Sequence, residues 1–259
     1  MLNPGEPLRP VDPLVFTVTR LDLFNDMIQG FATGFFYLRD DRLYLVTNRH
    51  VLVTPDTRPL WKTASAELHT SPNVYDHQTF ELPLFRADGS PNWMLAPPPA
   101  DIAVLPLDRS RFTSAAHITW LTPDSIFPLD FVLDIGADAF LIGYPESFRD
   151  EPANLPVFRK AMVASIYGVS FGGRPCFLTD GQFHVGMSGG PVIVQPRDTW
   201  RGIRNEVRRP PAETHYLLGV HSGEVELEVA REGDDQTSTL TVGLGWAWYP
   251  DAINRAIDQ

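Results

Sequence analysis

Short runs rich in Val, Ile, Phe, Tyr and Thr recur along the chain, each closed off by a cluster of Pro, Gly, Asn or Asp. Such punctuation interrupts helices but suits many short antiparallel strands. Strands are expected at 14–20, 30–38, 42–47, 65–70, 78–86, 101–107, 117–121, 138–143, 157–168, 174–179, 190–195, 216–222 and 239–248. Roughly a dozen strands are enough for two six-stranded antiparallel β-barrels, and 259 residues can bury the core that such an all-β protein needs. The expected division is a first barrel over residues 1–121, a connection over 122–137 marked by Pro123 and Pro128, and a second barrel over 138–259. In the last stretch Ala252, Ile253, Ala256 and Ile257 fall at helical spacing, so a short C-terminal helix is expected, with Asp251 as its N-cap.

A formal net charge of -11 disfavours a phosphate-backbone partner, because most of the surface would repel it; no nucleic-acid partner is expected. The opening residues Met1 to Pro7 lack the basic-then-apolar pattern of a secretory signal, and no apolar run approaches the ~18 residues of a membrane span. A cytoplasmic protein with no membrane association is the expectation. Cys176 is the only cysteine, so no internal disulfide can form, and it reads as a core residue. No Cys/His cluster has metal-ligand spacing and no glycine-rich phosphate loop is present; neither a metal nor a cofactor is expected.

The segment Gly186-Met187-Ser188-Gly189-Gly190-Pro191 carries the chemistry. A nucleophilic serine needs a turn that exposes its oxygen and aims backbone N–H groups at one point, and glycines permit that turn. The amides of Gly186 and Ser188 would then face the oxyanion formed when Ser188 attacks a carbonyl, each worth roughly 3 to 4 kcal/mol. Serine alone is a weak nucleophile and requires a base with an orienting group. His50 ends the apolar run Val46-Thr47-Asn48-Arg49-His50, and Asp101 opens Asp101-Ile102-Ala103-Val104-Leu105. In that arrangement Asp101 holds the tautomer of His50 that accepts the Ser188 proton.

With these residues the chain resembles the chymotrypsin/trypsin-like serine proteases, in particular the disulfide-free bacterial and intracellular trypsin-like peptidases such as the high-temperature-requirement family. Gly34-Phe35-Phe36 leading into Leu45 to Val51, the Asp101 strand, Ile142-Gly143-Tyr144-Pro145 and the Ser188 turn carry the resemblance, which spans residues 14 to 250. It implies a chymotrypsin-like pair of barrels with His50, Asp101 and Ser188 in the cleft between them. It also implies a serine endopeptidase acting on protein or peptide substrates. One departure stands out: relatives activated by clipping place an aspartate before the serine to pair with the new amino terminus, and this chain has Met187. Activity directly after folding, or control by a loop or regulatory partner, is expected instead.

By the same resemblance Gln182 falls where trypsin-like enzymes keep the carboxylate that selects Lys or Arg, so a basic preference is not expected. Leu218-Gly219-Val220-His221-Ser222-Gly223 is similar to the strand that walls the specificity pocket. There a histidine reads Glu or Gln in glutamyl endopeptidases and in picornaviral cysteine proteases of this fold; His221 matches it. Ser222 is expected to hydrogen-bond Asp101 from behind, and Ser222, Gly223 and Glu224 to border the substrate, with backbone pairing as an added strand. His184, ahead of the oxyanion turn, is a further substrate-side candidate. The rival reading is a latent or non-catalytic protease-fold module that captures peptides and needs a partner for activation. Arg201, Arg204, Arg208 and Arg209 form a basic loop, and 228–235 reads as another loop.

Overall fold

The computed structural model describes residues 11–195, 200–204, 206–208, 215–230 and 237–259. The first part is a seven-stranded sheet built from β1 (Val18–Phe24), β2 (Gln29–Arg39), β3 (Arg42–Thr47), β4 (Thr63–His69), β5 (His77–Leu82), β6 (Met94–Leu95) and β7 (Ala103–Leu107), in the order β5-β4-β1-β2-β3-β7-β6. The second part is a closed six-stranded barrel. It contains β8 (Asp138–Gly143), β9 (Val157–Val163), β10 (Cys176–Gly181), β11 (Pro191–Val194), β14 (Tyr216–Ala230) and β15 (Thr237–Trp248), ordered β10-β15-β14-β11-β8-β9. A ribbon of β12 (Trp200–Arg201) and β13 (Val207–Arg208) stands apart. The protein is all-β as expected, with its first half a seven-stranded sheet and its second half the closed barrel.

The three larger of four apolar clusters among the described residues hold this arrangement. Leu21, Phe36, Leu45, Ala66 and Leu105 fill the first sheet. Phe127, Leu141, Phe177, Val192 and Leu218 fill the barrel. Phe35, Val46, Ile102, Ile142, Leu217 and Val220 join the two. The third cluster matters most for function, because β3, β7, β8, β11 and β14 all contribute to it and together fix how the halves face one another. Fully burying one large aliphatic or aromatic side chain is worth about 1.5 to 3 kcal/mol, so this seam is not loosely held. The terminal helix α3 (Asp251–Ile257) crosses back to the first sheet, where Ala252, Ile253 and Ala256 join the seam and Tyr37 Oη donates to Asn254 Oδ1 at 3.0 Å.

Several local expectations are corrected. Asp251 is the first helical residue, after Pro250, and makes no side-chain cap; it pairs with Arg255 one turn on, at 3.1 Å. Residues Pro13–Phe16 form a 3-10 turn, so the first strand begins only at Val18. Residues 117–121 are not a strand; Leu121 alone bridges Tyr37. A helix, α2 (Arg109–Ala115), precedes them: Asp108 accepts from the Arg111 N–H, and Phe112 is buried, a cap-and-anchor pattern that strand propensity hides. Glu228 to Ala230 belong to β14 rather than to a loop; residues 231–236, and Arg209 of the basic loop, lie outside the described residues. Cys176 is fully buried in β10, and burial pushes its thiol up to about 11. No helix among the described residues is long and apolar enough to cross a membrane.

Candidate active site

Strand β3 ends at Thr47 and the chain turns into the single-turn helix α1 (Arg49–Leu52), which brings His50 to the edge of the first sheet. Asn48, wholly buried, donates from Nδ2 to the Asp101 carbonyl at 2.7 Å and ties this turn to the start of the neighbouring segment. The Asp101 carboxylate accepts from the His50 N–H at 2.9 Å and lies 2.6 Å from His50 Nδ1. Ser222 Oγ donates to the same carboxylate at 2.5 Å. Three donors therefore fix the Asp101 side chain, and His50 is held by both its backbone and its ring. The ring is half exposed while Asp101 is mostly covered, so the imidazole faces the cleft and the carboxylate does not.

Ser188 sits in the barrel's turn between β10 and β11. Gly186 and Gly189 have φ of +92° and +87°, a region that side chains with a Cβ rarely adopt. Space forbids one too: a Cβ on Gly186 would come within 2.5 Å of the Phe31 ring and the Tyr144 carbonyl, and one on Gly189 would run into the Thr33 carbonyl. Thr33 stitches this turn to the first sheet, its Oγ1 donating to the Gly186 carbonyl at 2.7 Å and its N–H to the Ser188 carbonyl at 3.0 Å. Gly189 N–H donates to the His221 carbonyl, and His221 N–H to the Gly190 carbonyl, each at 2.9 Å. Met187 is wholly buried among the barrel's apolar residues. An apolar anchor thus occupies the place where an ion pair would otherwise secure the turn. Among the described residues the amides of Gly186 and Ser188 donate to no backbone carbonyl, while Ser188 Oγ donates to the Ser222 carbonyl at 3.1 Å.

His50, Ser188, Gly186, His184, His221, Gly223 and Glu224 all line one cleft of about 370 Å³. His221 is buried, stacked on Phe183 with ring centroids 4.7 Å apart. Burial, aided by the nearby His50, lowers its pKa to about 3. The ring is therefore neutral at neutral pH, and its Nδ1 has no hydrogen-bond partner among the described residues. His184 stands at the rim with Nδ1 3.8 Å from Glu146 Oε1. Ser222 lies behind Asp101 rather than on the cleft wall. Gln182 is corrected outright: it lies outside the cleft and accepts from Arg159 at 2.6 Å, because the chain leaves β10 with Gln182 turned toward β9 and Phe183 turned inward. Phe183, Phe31 and Trp61 line the cleft without having been singled out in the sequence, and Glu226 lines it beside Glu224. For Phe183 a signal existed, since Gly245 has no Cβ where one would come within 2.6 Å of that ring.

The trypsin-like peptidase domain family matches residues 32–203, more than half of the chain. No curated protein sequence matches it. Among solved structures, the serine endoprotease from Yersinia pestis aligns with TM-score 0.53 at 14% identity over 94% of this chain and 62% of that one. An HtrA-type protease, AlgW, with a tripeptide aligns with TM-score 0.54 at 14% identity over 94% of this chain and 58% of that one. The chain spans about three fifths of the length of these structures, and at such identity they support the fold alone. With the family matched across both the His50 and the Ser188 segments, the chain belongs to the trypsin-like peptidase domain family.

Proposed function

We propose that this protein is a serine endopeptidase in which Ser188 is the nucleophile, His50 the general base and Asp101 the group that orients it. The observation that carries the reading is the Asp101 carboxylate held by three donors, one of them the ring of a cleft-facing His50, in the same cleft as a serine on a left-handed glycine turn. Ser188 Oγ attacks the scissile carbonyl as His50 Nε2 takes its proton. The oxyanion is met by the Gly186 and Ser188 amides, His50 returns the proton to the leaving amine, and water hydrolyses the acyl-enzyme by the same route. The reaction requires no metal or cofactor.

Substrate would lie along β14. That strand pairs with β11 only through Val220 and with β15 on its other side. From Gly223 to Glu226 its edge away from β15 pairs with no other strand among the described residues, so an extended peptide can add to it there. A tripeptide accompanies the AlgW structure, in keeping with a peptide-binding cleft of this fold. For the residue before the scissile bond, a neutral His221 can hydrogen-bond a side-chain amide or carboxylate. Glu224 and Glu226 line the same cleft and His221 contributes no positive charge, so Gln enters at lower electrostatic cost than Glu. A mixture of unstructured peptides, digested and read by mass spectrometry, tests both statements. Cuts concentrated after Gln, then Glu, are expected; cuts concentrated after Lys or Arg would remove His221 from the pocket.

The second reading, a latent enzyme that a partner switches on, is favoured by one contact: in this conformation Ser188 Oγ donates to Ser222 rather than to His50. Hydrogen bonds between a nucleophile and its base often form only once substrate is bound.

A further inference from the structure

Beyond the residues that hold the triad, the cleft carries a charge pattern of its own. β14 continues past Ser222 as Gly223-Glu224-Val225-Glu226, and in an extended strand alternate residues share a face. Glu224 and Glu226 both line the cleft, so their carboxylates stand on the face that substrate meets. Their partners across β15 are Gly245 and Thr241, which carry no charge. No Lys or Arg lines the cleft among the described residues. Arg174 shares a neighbouring hollow with the two carboxylates, but its guanidinium lies over the Trp246 ring, 5.5 Å from the centroid. Among the described residues neither carboxylate is in an ion pair, and the formal net charge of -11 adds to their field rather than opposing it.

A second feature of the same cleft calls for a ligand. His221 is only 1% exposed, and its Nδ1 has no partner among the described residues. The register of that ligand follows from Ser188, whose Oγ lies 3.1 Å from the Ser222 carbonyl, so the residue whose carbonyl is attacked sits opposite Ser222. The leaving amine takes its proton from His50, on the first sheet, which puts the downstream part of the substrate on that side and the upstream part along 223–226. A peptide whose upstream residues run from Ser222 toward Glu226 is antiparallel to β14. Its third residue before the cut then lies opposite Glu224 and its fifth opposite Glu226. Directly opposed residues of an antiparallel pair have Cβ atoms about 4.5 to 5.5 Å apart on one face, where opposite charges attract and like charges destabilise.

We propose that Glu224 and Glu226 are specificity-determining residues that select Lys or Arg at the third and fifth positions before the scissile bond, so that the substrate is a segment with basic residues at alternate positions ahead of the cut. The proposal rests on the serine peptidase reading. Both contacts lie away from the reacting atoms and are made equally in the bound substrate and in the transition state, so their signature is a change in KM with kcat nearly constant. Both carboxylates are at least partly exposed, so the effect is moderate and weakens with salt.

The test uses peptides with Gln before the cut, or whichever residue the digestion of unstructured peptides selects there, and with Lys or Glu at the third or the fifth position. Expected for the wild type is a kcat/KM about tenfold higher for Lys than for Glu at the third position and about threefold higher at the fifth, carried by KM and reduced at high salt. Glu224→Lys is expected to reverse the preference at the third position and keep that at the fifth, and Glu226→Lys to do the converse. Reversal marks contact with substrate, because a merely structural role would lower all the peptides alike. Thermal melts confirm that each variant is folded; where a Lys variant does not fold, Glu224→Gln or Glu226→Gln decides by levelling the preference at its own position. Equal kcat/KM for Lys and Glu in active wild type, or preferences that the substitutions leave unchanged, overturns the proposal. If a fluorophosphonate labels Ser188 and peptides are cut without regard to charge, only this proposal falls. If the wild type cuts no peptide at all, the endopeptidase reading fails and takes this one with it.

Discussion

Ser222 and His221 are adjacent on β14, yet the two sides of the cleft they serve are satisfied in opposite ways. On the Ser222 side, the Asp101 carboxylate accepts three hydrogen bonds and holds His50 through both backbone and ring. On the His221 side, a buried ring leaves Nδ1 without a partner among the described residues and leans on Phe183. A satisfied network is stiff and costs little to keep assembled, whereas a buried polar atom without a partner costs about 1 to 3 kcal/mol until something meets it. The contrast fits the proposed function, in which the first side is preassembled for a fixed reaction and the second takes the polar end of a substrate side chain.

The comparison can be broken most forcefully at Asp101. Asp101→Asn keeps the shape of the network but favours the wrong tautomer of His50, and a loss of about 10⁴-fold in kcat is expected, measured on a reporter peptide with the thermal midpoint as control. A change of less than tenfold would mean that the network is structural. On the pocket side, His221→Ala is expected to lower kcat/KM for Gln-containing peptides by about 10- to 100-fold, the value of a hydrogen bond to a substrate group. Peptides with small residues at that position should lose far less.

The smallest effect is on stability. His221 ordinarily titrates near 6.5 but is held at about 3 by burial, and burial also lowers His69. Below about pH 6.5 the unfolded chain gains protons that the folded protein refuses until His221 titrates near 3. Stability is therefore full above 6.5 and declines as pH falls toward 3, by up to about 1.4 kcal/mol per pH unit per histidine. Urea unfolding at pH 7 and pH 5 should show a shallower decline in His221→Phe than in the wild type; equal slopes would mean that His221 is not buried neutral.

The same division decides what the sequence discloses. His50, Asp101 and the Ser188 turn are legible because each lies in a short motif whose local geometry is set by its own neighbours: a strand end with a one-turn helix, a strand start, a glycine turn. Ser222 was legible by resemblance, and its bond to Asp101 is present. The pocket is set by contacts distant in sequence. Phe183 turns inward only because Gly245 and His221 leave room for it, and that displaces Gln182 onto Arg159, which counting back from Ser188 could not reveal. Helix α2 was hidden for a related reason: a single buried Phe112 and an Asp108 cap outweigh weak strand propensity only when the sheet is present to bury that ring.

The central claim is an activated Ser188. Incubating pure protein with a fluorophosphonate probe and reading intact mass, beside Ser188→Ala, tests it with the fewest assumptions about substrate. The account predicts one covalent adduct on the wild type and none on the variant. An unmodified wild type, or equal labelling of both proteins, would contradict it.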